Sequence, residues 1–154
     1  MDTIETKYDR DFVEWTREQA KALRAAKGAG VNLFLDWDHI AEEIEDMGKS
    51  QTRELANRIN TIIERLIKLQ CSSAIQPRAG WETTVARERE QVRKMLGDSP
   101  SLRQLLDRMG QDEIVPARRV AERAMLAFRD QVAPFPELYS TAQILDDWYP
   151  NPPE

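Results

Sequence analysis

The side chains best suited to chemistry lie in the segment H-I-A-E-E-I-E-D. There His39, Glu42, Glu43 and Asp46 fall at i, i+3, i+4 and i+7 and would share one helix face. Carboxylates and an imidazole projecting into a helical bundle are how di-iron and di-manganese proteins hold metal, but those sites take Glu-x-x-His from each of two helices. This chain has one His, in the reverse order, and no second acidic cluster on another strong helix. The plainer reading is an acidic first turn that suits the helix dipole and meets cations from a neighbour. Glu42, Glu43 and Glu45 facing Arg53, Arg87 or Arg89 would fix how two helices pack and leave a cleft lined by both signs of charge. We therefore take His39, Glu42, Glu43, Asp46, Arg53, Arg87 and Arg89 as the candidate ligand or ion cleft. No metal and no cofactor is expected there.

Other reactive groups are few. Cys71 sits in an apolar context without a Gly-rich turn, which favours an inert buried thiol over a nucleophile. The patterns G-x-x-x-x-G-K, G-x-G-x-x-G and G-x-S-x-G are absent, so phosphate cradles and serine-hydrolase elbows are not encoded as motifs. Arg118, Arg119 and Arg123 mark a basic edge that would serve first as a wet face and second as a phosphate contact. Phe135, Leu138, Tyr139 and Trp148 gather in a Pro-flanked tail too short to fold alone. They either clamp across the chain's own helices or dock on another subunit.

The elements that would carry these groups are all helical. Asp11 precedes Glu14 by three residues, the spacing of a capping box, and Phe12, Trp15, Ala22, Leu23 and Ala26 recur at helical intervals. A helix is predicted over 11–26, ended by Gly28 and Gly30. A second begins at Asp36 or Asp38, with Ile40, Ile44 and Met47 on one face, and is expected to run on through Gly48 with a bend. Leu55, Ile59, Ile62, Ile63, Leu66, Ile67 and Leu69 form the longest apolar stripe and should be the central helix. After Pro77 and Gly80, Trp81, Val85, Val92, Met95 and Leu96 keep a helical beat, while Arg87, Glu88, Arg89, Glu90, Arg93 and Lys94 read as its solvated face. D-S-P-S-L opens a further helix at Asp98 or Ser99. Its beat includes Ile114, Ala117, Val120, Ala121, Met125 and Phe128, with a kink or restart at Pro116 near Asp112. Ser140 and Gln143 have capping-box spacing ahead of Ile144 and Leu145. No strand-like alternation occurs, so the fold class is all-α. The expected architecture is a bundle of about five or six helices in one domain over 1–154, with a lead-in at 1–10 and a helical tail at 134–154 packed on it.

Length and charge narrow the function classes. The 154 residues suffice for one domain with a real core, and 41% hydrophobic with 32% charged composition excludes a disordered chain. One Cys excludes an internal disulfide. No apolar stretch is long enough to span a membrane, and the start M-D-T-I-E-T-K lacks a signal-peptide layout, so a cytoplasmic protein is expected. Residues 1–50 carry 7 basic and 12 acidic side chains, 51–100 carry 9 and 6, and 101–154 carry 6 and 9. A net −5 chain of this kind neutralises itself segment by segment and disfavours nucleic acid as a partner.

Several linked motifs carry a resemblance. They are Y-D-R-D-F-V-E-W-T-R-E-Q-A-K-A-L-R (Tyr8 to Arg24), A-E-E-I-E-D-M-G-K-S (Ala41 to Ser50), W-E-T-T-V-A-R-E-R (Trp81 to Arg89), D-S-P-S-L (Asp98 to Leu102) and the closing I-L-D-D-W-Y-P. In order and spacing they resemble the bacterial family called domain of unknown function 29. The resemblance implies a small, stand-alone, α-helical cytoplasmic protein of a family without an established activity. It also implies a His before the L-L-K of the central helix, where this chain has Arg65. Residues and resemblance together favour a non-enzymatic interaction or accessory protein, as a homodimer or with another protein partner. The alternatives are an ion-binding protein or enzyme centred on His39, Glu42 and Glu43, and a nucleic-acid accessory using the basic edge.

Overall fold

The computed structural model describes residues 6–31 and 33–154. Part of the 1–10 lead-in, residues 1–5, lies outside the described residues. The rest forms α1 (Lys7–Arg10), followed by α2 (Phe12–Gly28), α3 (Trp37–Cys71), α4 (Arg78–Asp98), a 3-10 helix (Pro100–Leu105), α5 (Leu106–Phe128) and α6 (Thr141–Leu145). Among the described residues the only β pairing is an isolated bridge, Ser72 to Gln131. The protein is all-α.

The chain divides into two compact units, one made of residues up to Glu54 with Met95–Arg103, the other of Leu55–Lys94 with Gln104–Glu154. In the first, Asp11 caps α2 as its spacing predicts, Oδ1 accepting from Glu14 N at 2.9 Å. The reciprocal half of the capping box does not form, because the Glu14 carboxylate turns to Lys7 at 3.4 Å. Asp11 instead accepts a second set of bonds, from Ser101 N at 2.7 Å and Ser101 Oγ at 2.9 Å, and is itself buried. Carboxylate oxygens with several lone pairs can serve both partners.

The buried stripe of α2 is Val13, Thr16 and Ala20, not the Phe12–Trp15–Ala22–Leu23–Ala26 series, whose members are half-buried or exposed. On α3 the buried positions are Ala41 and Gly48, while Ile40 and Met47 of the expected face are exposed. Small residues line the contact because the two helices approach closely. A Cβ on Gly48 would overlap Thr16 Oγ1 and stand 3.3 Å from Thr16 Cβ. Gly48 neither caps nor ends its helix; α3 runs through it.

In the second unit the central stripe behaves as predicted. Leu55, Ile59, Ile62, Ile63, Leu66, Ile67 and Leu69 are all essentially inaccessible, as are Val85, Val92, Met125 and Ile144. Burying a large aliphatic side chain contributes about 1.5–3 kcal/mol, so this stripe dominates the unit's stability. Polar bonds set the register: Arg58 donates to Glu88 at 3.0 Å and Asn60 to Glu113 at 2.8 Å. Arg78 ends α3 by donating to the carbonyls of Leu69 at 2.6 Å and Ser72 at 3.2 Å.

Pro116 lies inside α5 without breaking it. The carbonyl it deprives of a donor belongs to Asp112, an exposed residue whose backbone oxygen water can serve. Val120 and Phe128, counted with the apolar beat of this helix, are exposed, while Ile114, Ala117, Ala121 and Met125 are buried. The predicted capping box of α6 is present, Ser140 Oγ accepting from Gln143 N at 3.1 Å and Gln143 Oε1 from Ser140 N at 2.9 Å.

Candidate functional site

The residues singled out on the sequence separate into surface ion pairs and one buried latch. His39 stands at the start of α3 with its Nδ1 2.5 Å from Asp36 Oδ2, and Asp36 Oδ1 also accepts from His39 N at 3.3 Å. Hydrogen bonding to the carboxylate raises the His39 pKa and lowers that of Asp36, both groups being fully exposed. Glu42, Glu43 and Asp46 are exposed on the same helix, with Lys49 4.0 Å from Asp46. Glu45 pairs with Arg24 at 2.6 Å rather than with Arg53, Arg87 or Arg89, and its pKa is lowered chiefly by that bond. Among the described residues no three His, Cys, Asp or Glu side chains are grouped to hold a metal ion. Arg53 and Arg87 are exposed.

Arg89 is the correction of most consequence. Expected on the wet face of α4, it is buried, and its guanidinium is taken up by the C-terminal tail. Nε donates to Ile144 O at 2.8 Å, and Nη2 to Gln143 O at 2.9 Å and Trp148 O at 2.8 Å. The Tyr149 ring lies 4.9 Å from the guanidinium carbon. Desolvation lowers the Arg89 pKa, with the Tyr149 and Asp147 groups opposing it. Arg89 thus closes the C-terminus of α6, where unpaired carbonyls collect.

That latch decides between the two readings of the tail in favour of an intramolecular clamp. Tyr139 is buried, donates its hydroxyl to Gln70 Oε1 at 2.7 Å and has a raised pKa from desolvation. Its ring centroid is 6.0 Å from that of Trp148, which is half-buried, as is Phe135. Leu138 alone of the four is exposed. Cys71 is buried beside the tail, Sγ 3.4 Å from Pro134 O, and desolvation pushes its pKa up to about 11, so thiolate chemistry is disfavoured. Of the basic edge, Arg118 is half-buried and donates to Pro136 O at 3.0 Å, leaving Arg119 and Arg123 exposed.

Two features escaped the sequence reading. Between α2 and α3, Val31, Leu33, Phe34 and Leu35 are exposed, Phe34 completely, and Ile40 at the start of α3 is exposed too. An apolar run in a loop between two helices was the available signal. The second is a pocket of about 700 Å³ in the second unit, walled by Lys68, Pro77, Trp81, Met125, Phe128 and Asp130 among others. Lys68 stands between Ile67 and Leu69 of the buried stripe and is itself buried, which marks a cation held inside. Its Nζ lies 2.8 Å from Glu64 Oε1, which also accepts from Arg65 Nη1 at 3.0 Å.

Fold and site together define a small all-α protein whose described helices include none long and apolar enough to cross a membrane. It belongs to the family described as domain of unknown function DUF29, whose pattern matches residues 7–149. It is similar to an α-helical protein of unknown function from Rhodospirillum rubrum, at 28% identity over 92% of this chain and 90% of that one, with a TM-score of 0.78. No curated protein matches the sequence. The family and this relative support the fold and assign no activity.

Proposed function

We propose that the protein is a cytoplasmic accessory protein that acts by contact rather than catalysis, and that its apolar loop docks on a second copy of itself. The observation that carries this reading is the exposure of Val31, Leu33, Phe34 and Leu35, with Ile40 exposed a turn into α3. Contiguous apolar patches of this kind mark interaction sites, because leaving them in water costs about 25 cal/mol per Å². Five such side chains from each of two copies would bury on the order of 1,000 Å², the lower bound for a specific interface.

Charge favours a like partner. The run is preceded by Lys21, Arg24 and Lys27 and followed by Asp36, Asp38, Glu42 and Glu43. Two copies laid antiparallel about a two-fold axis would set the basic end of one against the acidic end of the other. Within one chain Lys27 pairs with Asp38 and Arg24 with Glu45, so the charges left to face a second copy are Lys21 at one end and Glu42 and Glu43 at the other.

The test is sedimentation velocity over micromolar to submillimolar concentrations, with wild type and the double variant Phe34→Asp, Leu35→Asp. Both side chains are exposed, so helical circular dichroism should be unchanged. A reversible dimer in the wild type that the variant abolishes is the expected result. A wild type that stays monomeric throughout, or a dimer indifferent to the two substitutions, overturns the reading.

A further inference from the structure

We infer that the pocket between the end of α3, the start of α4 and the end of α5 is a binding site for an apolar monocarboxylic acid. The inference concerns the second unit alone and stands or falls independently of self-association. Its volume, about 700 Å³, lies within the range of small-molecule sites. The walls divide the labour that such a ligand would need. Trp81, Pro77, Met125 and Phe128 provide apolar surface, with Met125 buried as part of the floor and Phe128 exposed at the rim. A flat or aliphatic body entering there would cover the largest exposed aromatic ring of α5 and remove apolar area from water.

The acid group is called for by Lys68. Its side chain is only 10% exposed, and an ammonium held so far from water requires partners. It has three N–H bonds. Glu64 takes one, but the same Oε1 also serves Arg65, so one carboxylate faces two cations. The remaining neighbour is the Trp81 ring, its centroid 6.0 Å from Nζ. Nζ therefore retains donors, and Lys68 is the one cation among the lining side chains, with Asp130 the one anion. A ligand carboxylate at the Lys68 end would accept one of those donors as a charge-assisted bond in a low-dielectric wall, where such a bond is strong.

Asp130 limits the choice to a single acid. It lines the same pocket, with Oδ2 accepting from Ser72 Oγ at 2.7 Å and Oδ1 enclosed without a donor. A second anionic group on the ligand would meet this carboxylate and be repelled, so a dicarboxylate or a phosphate dianion is selected against.

The experiment is isothermal titration of the full chain with 2-naphthoate and with dodecanoate, each set against its neutral amide, repeated on Lys68→Met and Phe128→Ala. Expected are saturable binding of at least one acid, a preference over its amide of tenfold or more, loss of that preference in K68M, and weaker binding of acid and amide alike in F128A. F128A alters an exposed side chain, so it remains informative should K68M fail to fold. Absence of saturable binding for both acids overturns the inference, as does equal affinity of acid and amide, or an F128A protein that binds like the wild type.

Discussion

Replacing Gly48 by Ala should destabilise the protein, although the substitution stabilises an ordinary helix. In a helix interior Ala is favoured over Gly by about 1 kcal/mol, and Gly48 sits inside the unbroken α3. Against that gain stands the overlap of the new methyl with Thr16 Oγ1. Relief requires Thr16 to rotate, giving up its 2.7 Å bond to Val13 O, or the helices to part. Overpacking of this kind costs about 1–3 kcal/mol, and losing the hydroxyl's bond adds about 1 kcal/mol. The net expectation is a loss of about 1–3 kcal/mol. The sharper form of the prediction is its reversal: in a Thr16→Ala background the clashing oxygen is gone, the Cβ pair stands at a tight but tolerable 3.3 Å, and G48A should become neutral or stabilising. Urea denaturation of the four proteins, followed by far-ultraviolet circular dichroism and tryptophan fluorescence, closes the double-mutant cycle. A coupling of about 2–3 kcal/mol is expected. A G48A that stabilises the wild type, or a coupling below about 0.5 kcal/mol, refutes the close-approach argument.

Arg89→Met, which keeps the stem and removes the charge, should cost about 3–5 kcal/mol, because it strips three carbonyls of a buried charged donor. Limited proteolysis should then cut within 134–154 where the wild type resists, and a variant within about 1 kcal/mol of wild type with a protected tail would dispose of the latch. The single histidine should titrate above its ordinary 6.5 in a proton NMR series, and Asp36→Asn should bring it back down. The sign follows from the two shifts. The raised His39 pKa contributes stability present below the unfolded value and lost as pH rises through the folded one; the lowered Asp36 pKa contributes stability present above its unfolded value and lost as pH falls. The pair therefore helps most between the carboxylate and imidazole ranges, and a His39 titration indifferent to Asp36→Asn would contradict it.

Periodicity made the fold legible wherever large aliphatic residues do the packing. The predicted stripe from Leu55 to Leu69 is buried at every position, the capping box at Ser140 forms as its spacing demands, and at Asp11 half of the box does. It misled where helices meet through small residues. Thr16, Ala20, Ala41 and Gly48 carry no hydropathy signal, so the large neighbours Phe12, Trp15, Ile40 and Met47 were assigned to a face that the close approach leaves no room for. The candidate cleft failed for a related reason. A charge pattern names side chains that seek opposite charges, but Arg89 and Arg78 find backbone carbonyls, and a carbonyl is the same in every residue. Lys68 carries no sequence signal of its own, because a charged residue in a helix with Glu64 and Arg65 beside it reads as part of the wet face, whereas burial makes it the feature that needs explaining.

The contrast between the units bears on where a partner would bind. In the second, the tail that looked free is consumed: Tyr139 and Ile144 are buried, and Arg89 fastens the carbonyls that follow them. Freeing buried Tyr139 for another chain would require unfastening a charged three-bond clasp, which is costly. In the first unit the economy runs the other way. Its helices close on small residues, the rings of Tyr8, Phe12 and Trp15 gather against one another at 4.9–6.0 Å, and Val31, Leu33, Phe34, Leu35 and Ile40 are exposed. A helix pair that seals with Gly and Ala has little use for large apolar side chains in the loop that joins it, and natural surfaces do not retain a fully exposed Phe between two exposed Leu for solubility. Hence the loop rather than the tail is the surface that the proposed self-contact would use.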